Sequence, residues 1–318
     1  MAYHVLITGC AGFIGSHLTE RLLAEGHTVT GIDNFDDFYP RAAKEVNLQL
    51  LLPHANFTFI ELDLADTNAV VALDVKADVI IHLAAKAGVL PSLKAPVAYI
   101  NTNITATNNL LEWMRTKGIN KMLFASSSSV YGNNKKIPFA ETDSVDEQIS
   151  PYAFTKRSCE LMNYSYHHLY GFDVLNLRLF TVYGPRQRPD LAIHKFVKMI
   201  KGGQPITMYG DGSTARDYTF VADTVDGFMK AMQYLMTHNK VYDIVNLGNN
   251  GPVKLKDLIN AIYEGLGAQP NIIPMPMQPG DVDITYADIT KAQQLFGYQP
   301  NTTLQEGLKQ FINWYNER

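Results

Sequence analysis

The fold of this chain is set by its beginning, His4–Asp33, which reads HVLITGCAGFIGSHLTERLLAEGHTVTGID. The apolar run His4–Thr8 predicts a buried strand, and apolar residues at helical spacing predict a helix over Phe13–Glu25 that ends near Gly26. A second apolar run, Thr28–Ile32, predicts another strand. A strand, a glycine-rich turn, a helix and a strand in this order are typical of a parallel sheet covered by helices.

The turn between the first strand and the helix carries Gly9, Gly12 and Gly15, spaced G-x-x-G-x-x-G. Glycines allow backbone conformations that a β-carbon resists, and they let a pyrophosphate reach the amides at the helix N-terminus. Three glycines alone also fit an ordinary tight turn. Asp33 favours a dinucleotide, because it ends the second strand 18 residues after Gly15, where a carboxylate binds both ribose hydroxyls.

The carboxylate of Asp33 would repel a 2′-phosphate, so the sequence predicts NAD rather than NADP. Asp63 and Leu64 follow the third predicted strand and are candidates for the adenine edge, although Asp63 fits a helix N-cap nearly as well. The other candidate cofactor contacts stand in the glycine turn, after the second strand and after the fourth strand: Phe13, Ile14, Asn34, Leu83, Ala84, Ala85 and Lys86.

Strands and helices continue to alternate through the first 180 residues. Further strands are predicted at Phe57–Leu62, Val79–Leu83, Lys121–Ala125 and Val174–Leu179, and helices at Thr67–Leu73, Pro96–Lys117 and Pro151–Tyr170. Residues 1–180 are therefore predicted to form an α/β domain with a doubly wound parallel (Rossmann) sheet, which binds ligands beyond the carboxyl ends of its strands.

The composition and the lengths of the predicted elements change in residues 181–318. Loops become longer and richer in Gly, Pro and Asp, and shorter helices are predicted at Ala192–Lys201, Asp223–Leu235 and Leu255–Leu266. This half is predicted to be mainly a smaller α/β substrate-binding lid, either packed over the sheet or interleaved with it.

The catalytic candidates are Tyr152 and Lys156, a Tyr-x-x-x-Lys pair on the helix after the fifth strand. Residues four apart share a helix face, so an ammonium would stand beside a phenol. Lowering a tyrosine pKa from about 10 to about 7 needs ~4 kcal/mol, and a cation about 5 Å away supplies ~3 kcal/mol at an effective dielectric near 20. The pair also fits a plain helix surface, but its position in this fold favours a base.

Four serines, Ser126 to Ser129, end the fifth predicted strand. A hydroxyl at this place can bridge a substrate oxygen and the phenol, while others can bind nearby backbone groups. Together with a dinucleotide, this pattern predicts oxidation and reduction at a sugar-like alcohol.

The bulk composition argues against several classes of partner. A net charge of −4 gives no global basic field for nucleic acid or an anionic membrane. No apolar run approaches the ~20 residues of a membrane-spanning helix, and the first residues have no signal-peptide pattern. Two distant cysteines, Cys10 and Cys159, and histidines without ligand-like spacing predict no disulfide framework, no metal and a cytoplasmic setting.

The chain resembles the extended short-chain dehydrogenase/reductase family, specifically its nucleotide-sugar epimerases, over nearly its full length. The segments that carry the resemblance are Thr8–Gly15, His82–Gly88, Ser126–Gly132, Tyr152–Lys156 and Pro279–Asp281 leading to Tyr286–Asp288. The resemblance implies that Tyr152 and Lys156 are catalytic, that Ser127, four residues before Tyr131, is the catalytic hydroxyl, and that Asn103 is a further cofactor contact.

Two segments resemble the UDP-glucuronate branch of this family: Arg178–Pro185 with Arg188–Asp190, and Met277–Val282. The resemblance implies that Thr181 and Arg188 hold the sugar carboxylate and that Arg216 binds the diphosphate. The remaining candidate substrate contacts are Ser127, Ser128, Tyr209, Gln278 and Asp281. Three places beside the sugar pocket depart from that branch: Lys86, Leu90-Pro91 and Arg186-Gln187.

The activity that the resemblance implies is NAD-dependent epimerisation at C4 of a UDP-sugar. Tyr152 takes the proton of the 4-hydroxyl, hydride passes from C4 to NAD⁺, the 4-keto sugar turns about its diphosphate, and hydride returns to the other face. The substrate hypothesis is UDP-glucuronate, giving UDP-galacturonate. Its β-keto acid intermediate loses CO₂ unless the carboxylate bond is held away from the carbonyl π system.

The sequence leaves two alternative functions open. A UDP-glucose/UDP-galactose 4-epimerase or another nucleotide-sugar enzyme of the family is the alternative, and a non-catalytic NAD-sensing protein is a remote one, because this chain keeps both Tyr152 and Lys156. Dehydratases and decarboxylating synthases of the family place an acid where this chain has Ser128 and Ser129, so simple epimerisation is favoured over those reactions.

The resemblance also implies a homodimer through the helices Pro96–Lys117 and Pro151–Tyr170.

Overall fold

The structure is a computed structural model that describes residues 1–276 and 284–317. Its strands are β1 (His4–Thr8), β2 (Thr28–Asp33), β3 (Phe57–Glu61), β4 (Val79–His82), β5 (Lys121–Ser127), β6 (Asp173–Leu179), β7 (Thr181–Tyr183), β8 (Ile206–Tyr209), β9 (Ala215–Phe220), β10 (Tyr242–Leu247), β11 (Pro252–Lys254), β12 (Ile272–Met275) and β13 (Ile284–Thr285).

The helices cover the sheet and form the smaller half of the chain. They are α1 (Phe13–Ala24), α2 (Arg41–Gln49), α3 (Thr67–Val71), α4 (Val89–Lys94), α5 (Pro96–Tyr99), α6 (Ala106–Lys117), α7 (Pro151–Tyr170), α8 (Ala192–Lys201), α9 (Val221–Thr237), α10 (Leu255–Leu266), α11 (Thr290–Phe296) and α12 (Leu304–Asn316). No helix of this described part is long and apolar enough to cross a bilayer.

The central sheet of the described residues has seven parallel strands in the order β10-β6-β5-β4-β1-β2-β3. β1 is an interior strand, so its residues, such as Val5, Leu6 and Ile7, are fully buried between two helical layers. The strand order reverses direction at β1 and β4, which is where ligands bind in such sheets. The predicted doubly wound parallel fold is confirmed.

The sheet does not stop at residue 180. β10, which belongs to the second half of the sequence, pairs in parallel with β6, with Tyr242 opposite Val174. α9 packs against α1 and against β5 and β6. The division into residues 1–180 and 181–318 stays a prediction about function, because strand β10 and helix α9 cross it.

The long helix predicted over Pro96–Lys117 is interrupted. A π-helical segment, Ile100–Thr105, lies between α5 and α6. It contains Asn103, whose side chain binds the backbone N–H of Lys86 at 2.8 Å, the carbonyl of Lys86 at 3.0 Å and the hydroxyl of Thr155 at 2.9 Å. Such a widened turn is typical of functional sites, and here it aims Asn103 at the loop after β4. Helix periodicity alone gave no sign of it.

A buried ion pair fixes α7 against the sheet. Arg178 of β6 donates through Nε and Nη2 to the two carboxylate oxygens of Glu160, both at 2.9 Å, and both side chains are almost inaccessible to water. The hydroxyl of Ser126, at the end of β5, donates to Glu160 at 2.6 Å. Glu160 stands four residues after Lys156, so this network orients the helix that carries the catalytic candidates.

We expect Arg178→Met to lower the free energy of unfolding by about 3–5 kcal/mol, because the buried Glu160 carboxylate loses its bidentate partner and is left with the longer contact to Arg157, at 3.1 Å. Urea denaturation measures the loss. The control is Arg21→Met, which removes an exposed pair with Glu25 and should cost less than about 1 kcal/mol. Equal, small losses in both variants would contradict the structural importance of the buried pair.

Candidate active site

A cavity of about 690 Å³ opens at the carboxyl ends of the parallel strands. It brings together most of the predicted site residues: Gly9, Gly12, Phe13, Ile14, Gly15, Asp33, Asn34, Asp63, Leu64, Leu83, Ala84, Ala85, Lys86, Ser127, Ser128, Tyr152, Lys156, Thr181, Arg188 and Arg216. Asn103 is not among the described residues that line the cavity. Its side chain binds the backbone N–H and carbonyl of Lys86, which does line it.

Three predicted substrate contacts are not placed in the cavity by the described residues. Tyr209 lies in β8, where it pairs with Met275 of β12, and it is not among the cavity-lining residues. Gln278 and Asp281 lie outside the described residues. Their roles stay predictions.

The glycine turn is shaped by close backbone packing. Gly9 has φ +75° and its N–H donates to the carbonyl of Ile32 at 2.7 Å, which ties the turn to β2. A β-carbon on Gly15 would lie 2.0 Å from the carbonyl oxygen of Gly9, so no side chain fits there. No side chain caps the start of α1. Its first amides are therefore left for an anion in the cavity.

Asp33 is buried at the end of β2. Its carboxylate accepts the N–H of Ala11 at 3.2 Å and that of Phe35 at 2.9 Å, so the acid joins the glycine turn to the following loop. The ammonium of Lys44 on α2 lies 3.7 Å from the carboxylate and is itself buried. Lys44 compensates the buried negative charge. Sequence reasoning missed it because the helix α2 was not predicted.

Asp63 forms a local turn rather than a helix cap. Its Oδ1 accepts the N–H of Ala65 at 2.8 Å. The N-cap of α3 is Asp66, whose carboxylate accepts the N–H groups of Asn68 and Ala69. The alternative interpretation of Asp63 as an N-cap is therefore wrong, since the helix begins three residues later than it would require.

The catalytic candidates are positioned by the first turns of α7. Ser150 caps this helix by accepting the N–H of Ala153 at 3.1 Å. The ammonium of Lys156 donates to the carbonyl of Ala125 at 2.7 Å. Burial lowers the pKa of Lys156 to about 8, and the neighbouring Cys159 and Glu160 act in the opposite direction. The hydroxyl of Ser127 lies near that of Tyr152 and acts to lower the pKa of the phenol.

The balance of forces on Tyr152 differs from the sequence-based expectation. Burial raises the pKa of Tyr152, whereas the neighbouring Ser127 hydroxyl and the charge of Arg188 act to lower it. Lys156, which the sequence predicts to acidify the phenol, is not among the groups that lower this pKa, and burial dominates because the phenol loses water that would solvate its anion. The ring of Tyr99 meets that of Tyr152 edge-on at 6.2 Å and completes its enclosure.

The substrate end of the cavity carries two arginines. Arg188 donates through Nε and Nη2 to the carboxylate of Asp190, at 3.0 and 2.9 Å, and its guanidinium lies 4.9 Å from the centre of the Phe38 ring. Thr181 and Arg216 come from the neighbouring strands β7 and β9, which pair in parallel. Asp190 therefore already binds the fork that was predicted to hold a sugar carboxylate.

Two of the three places at which the sequence differs from the UDP-glucuronate branch are explained by contacts in the structure. Lys86 binds Asp36 at the edge of the cavity. Arg186 has φ +64° and points to α1, where it pairs with Glu20 at 2.8 Å. It braces the loop that carries Arg188 and does not line the cavity. Sequence reasoning had no signal for either pairing, because each joins residues far apart in the chain.

The fold and the site together define a Rossmann-type enzyme that acts on an alcohol. The chain belongs to the GDP-mannose 4,6-dehydratase family, whose family model matches residues 6–311. This assignment confirms the resemblance that the sequence motifs indicated.

Named relatives cover the chain almost completely. A UDP-glucuronate 4-epimerase of Thermodesulfobacterium geofontis is 40 % identical over 100 % of this chain and 97 % of its own length. A crystal structure of the Bacillus cereus UDP-glucuronic acid 4-epimerase with UDP-glucuronic acid and NAD has a TM-score of 0.92 at 35 % identity, covering 99 % of both chains. The Thermotoga maritima UDP-glucose 4-epimerase with UDP-glucose has a TM-score of 0.89 at 30 % identity, also covering 99 % of both.

The lowered pKa of Lys156 predicts how stability changes with pH. An unfolded lysine titrates near 10.4, so between about pH 8 and that value the unfolded chain holds a proton that the folded chain has lost. The unfolded state then binds more protons, and stability rises with pH. Relative to Lys156→Met, the wild-type free energy of unfolding should rise on the order of 2 kcal/mol from about pH 7 to about pH 10.

Chemical denaturation of both proteins across this range measures the difference. Lys195→Met, which removes an exposed lysine of α8, is the matched control and should show no such trend relative to the wild type. A flat or falling difference for Lys156→Met would contradict a buried ammonium at this position.

Proposed function

We propose that the chain is an NAD-dependent UDP-sugar 4-epimerase that interconverts UDP-glucuronate and UDP-galacturonate through a 4-keto intermediate. One observation carries the proposal. Tyr152, Ser127 and Arg188 line the same cavity as the glycine turn, and both the Ser127 hydroxyl and the charge of Arg188 act to lower the pKa of the phenol. A base, its partner hydroxyl and an anion-binding fork thus share one site.

The residues of the cavity fit NAD. The close approach of Gly15 to Gly9 leaves room for a pyrophosphate at the uncapped start of α1, and Asp33 faces the ribose position at the end of β2. Leu64, with Asp63, lines the adenine end, and Leu83 to Lys86 line the middle of the cavity. When bound, NAD supplies the acceptor and donor of hydride at C4.

Tyr152 is the group that moves the proton of the 4-hydroxyl. In the protein alone its pKa is raised by burial, with Ser127 and Arg188 opposing that effect. A positive charge in the cavity would add to theirs, since opposite charges favour the ionised form. The phenol therefore becomes a base when the site is filled, and Ser127 is placed to hold the sugar oxygen during the transfer.

Arg188 and Thr181 hold the sugar carboxylate in this proposal, and Arg216 holds the diphosphate. The guanidinium of Arg188 can bind a carboxylate through two parallel hydrogen bonds. To do so, Arg188 either releases Asp190 or binds the sugar carboxylate through the edge of the guanidinium that Asp190 does not contact. Fixing the carboxylate direction keeps the bond to C6 out of line with the carbonyl π system and suppresses loss of CO₂.

A second candidate is a UDP-glucose/UDP-galactose 4-epimerase. The observation in its favour is the Arg188–Asp190 pair, which satisfies the arginine without any substrate carboxylate. A neutral 6-hydroxyl would leave that pair intact. The same Tyr152, Lys156 and Ser127 would perform the chemistry, so only the substrate distinguishes the two candidates.

Separate NMR assays with UDP-glucuronate and UDP-glucose test the function. We expect turnover of UDP-glucuronate without CO₂ release. Tyr152→Phe should lower kcat roughly 10²- to 10⁴-fold, because it removes the general base. Arg188→Lys keeps the charge but loses the fork, and should lower kcat/KM for UDP-glucuronate roughly 10- to 100-fold.

Where the wild-type protein also turns over UDP-glucose, that activity is the matched readout for Arg188→Lys and should change little. Wild-type turnover of UDP-glucose alone would overturn the uronate assignment and leave the second candidate. Unchanged epimerisation by Tyr152→Phe would overturn the catalytic assignment itself.

We also propose a homodimer built on α7 and the neighbouring helices. Large apolar side chains are exposed there: Val97, Phe154, Leu161, Tyr164 and Leu169. Several exposed apolar side chains on neighbouring helices are typical of an interface. The location in the cytoplasm remains a proposal, supported by Cys10 and Cys159, which are both buried and free.

Light scattering during size-exclusion chromatography tests the dimer. Leu161→Arg should convert the protein to a monomer, because it places a charge in the apolar interface. Leu52→Arg is the matched control, since Leu52 is 53 % exposed and Leu161 52 % exposed, but Leu52 follows α2, away from α7. A dimer that persists in Leu161→Arg, or a wild-type monomer, would contradict the proposed interface.

A further inference from the structure

An ion pair lies in the same cavity as the glycine turn. β1 lies between β4 and β2 in the sheet, so the segments that follow β4 and β2 flank the turn on either side. Lys86, after β4, donates through Nζ to Oδ1 of Asp36, after β2, at 2.6 Å. All three strands point the same way, and one cavity is lined by Gly9, Gly12, Asp36 and Lys86. The link between the two segments therefore lies at the carboxyl end of β1, beside the glycine turn.

Asp36 belongs to a strap, which we define as residues 34–40 between β2 and α2. The strap is folded on itself: the N–H of Asp36 donates to the side chain of Asn34 at 2.9 Å, and the N–H of Phe38 donates to that of Asp36 at 3.0 Å. Lys44 of α2 donates to the carbonyl of Asp36 at 2.9 Å. The Asp36 carboxylate is therefore held towards the cavity, which Asp36 and Phe38 line.

The other end of the link is equally well anchored. The backbone N–H and C=O of Lys86 are both bound by the side chain of Asn103, which also binds Thr155 on α7. The side chains of Lys86 and Asp36 are only 15 % and 24 % exposed, so water screens their attraction less than that of a surface pair. The centre of the Phe38 ring lies 5.9 Å from the ammonium of Lys86 and 4.9 Å from the guanidinium of Arg188.

We propose that Lys86 and Asp36 are positioning residues that retain the dinucleotide by closing the strap over the glycine turn. A dinucleotide whose pyrophosphate lies on that turn cannot leave until the pair separates. The inference rests on the proposed function in one respect: the same cofactor must accept and return the hydride. Departure of the reduced cofactor in mid-cycle would leave a keto sugar and an enzyme unable to reduce it.

Dissociation of NADH from the loaded protein tests this proposal. The protein is filled with NADH, excess NAD is added, and the fluorescence decay gives the dissociation rate. Lys86→Gln and Asp36→Asn should each speed dissociation roughly 5- to 30-fold, the range for losing one charge-assisted hydrogen bond. Asp36→Asn keeps an oxygen for the N–H of Phe38, so the fold of the strap is preserved.

The double variant should be no faster than the single variants, because both remove the same link. Asp37→Asn is the matched control: it removes the same charge from the neighbouring, exposed position of the strap and should leave the rate unchanged. Unchanged rates in both single variants would overturn the proposal. So would an effect of Lys86→Gln alone or additive effects, which would make Lys86 an independent contact of the dinucleotide.

The same measurement separates this inference from the proposed function. If the rates do not change while the variants still epimerise a UDP-sugar, the strap proposal fails and the function stands. If the wild-type protein binds no NADH, the proposed function fails together with it.

Discussion

The contact between the start of α1 and the glycine turn is the constraint on which the site depends. At Gly15 a β-carbon would lie 2.0 Å from the carbonyl oxygen of Gly9, so helix and turn approach as closely as bare backbone allows. This approach leaves the first amides of α1 open to the cavity and places the end of β2 beside the turn through the bond from Gly9 to Ile32. Asp33, the strap and Lys86 are all arranged around that point.

At the catalytic end of the cavity, burial and the neighbouring groups shift the pKa values of Lys156 and Tyr152 in opposite directions. Burial pushes the pKa of Lys156 down and that of Tyr152 up, so the enclosed pair disfavours both charged forms when the protein is alone. The network of Glu160, Arg178 and Ser126 holds α7 rigidly enough for this enclosure. Binding of the cofactor and substrate is then what shifts the balance, which couples the chemistry to a filled site.

Much of the architecture was accessible from local patterns. The bounds predicted for β1, α7, α8 and α10 coincide with the structure, because their periodicity and caps involve residues within a few positions of one another. The same holds for the glycine turn and for the Tyr152–Lys156 spacing. The helices α2, α4, α11 and α12 were missed, although a capping box of Thr303 and Glu306 marks the start of α12. The π-helical segment was missed because tertiary contacts such as those of Asn103 outweigh weak local preferences.

The sequence alone established the parallel fold, the dinucleotide turn and the types of residue at the site, because these follow from near neighbours and from the geometry of one strand and one helix. Only the tertiary structure decided which charges meet: Lys86 with Asp36, Arg188 with Asp190, and Arg186 with Glu20. Lys86 and Asp36 are 50 positions apart and Arg186 and Glu20 are 166 apart. Arg188 and Asp190 are only two residues apart, but their pairing depends on the shape of a loop, which has no periodic sequence pattern. A long side chain such as arginine can reach several partners, and the packing of the folded chain determines which of them is near.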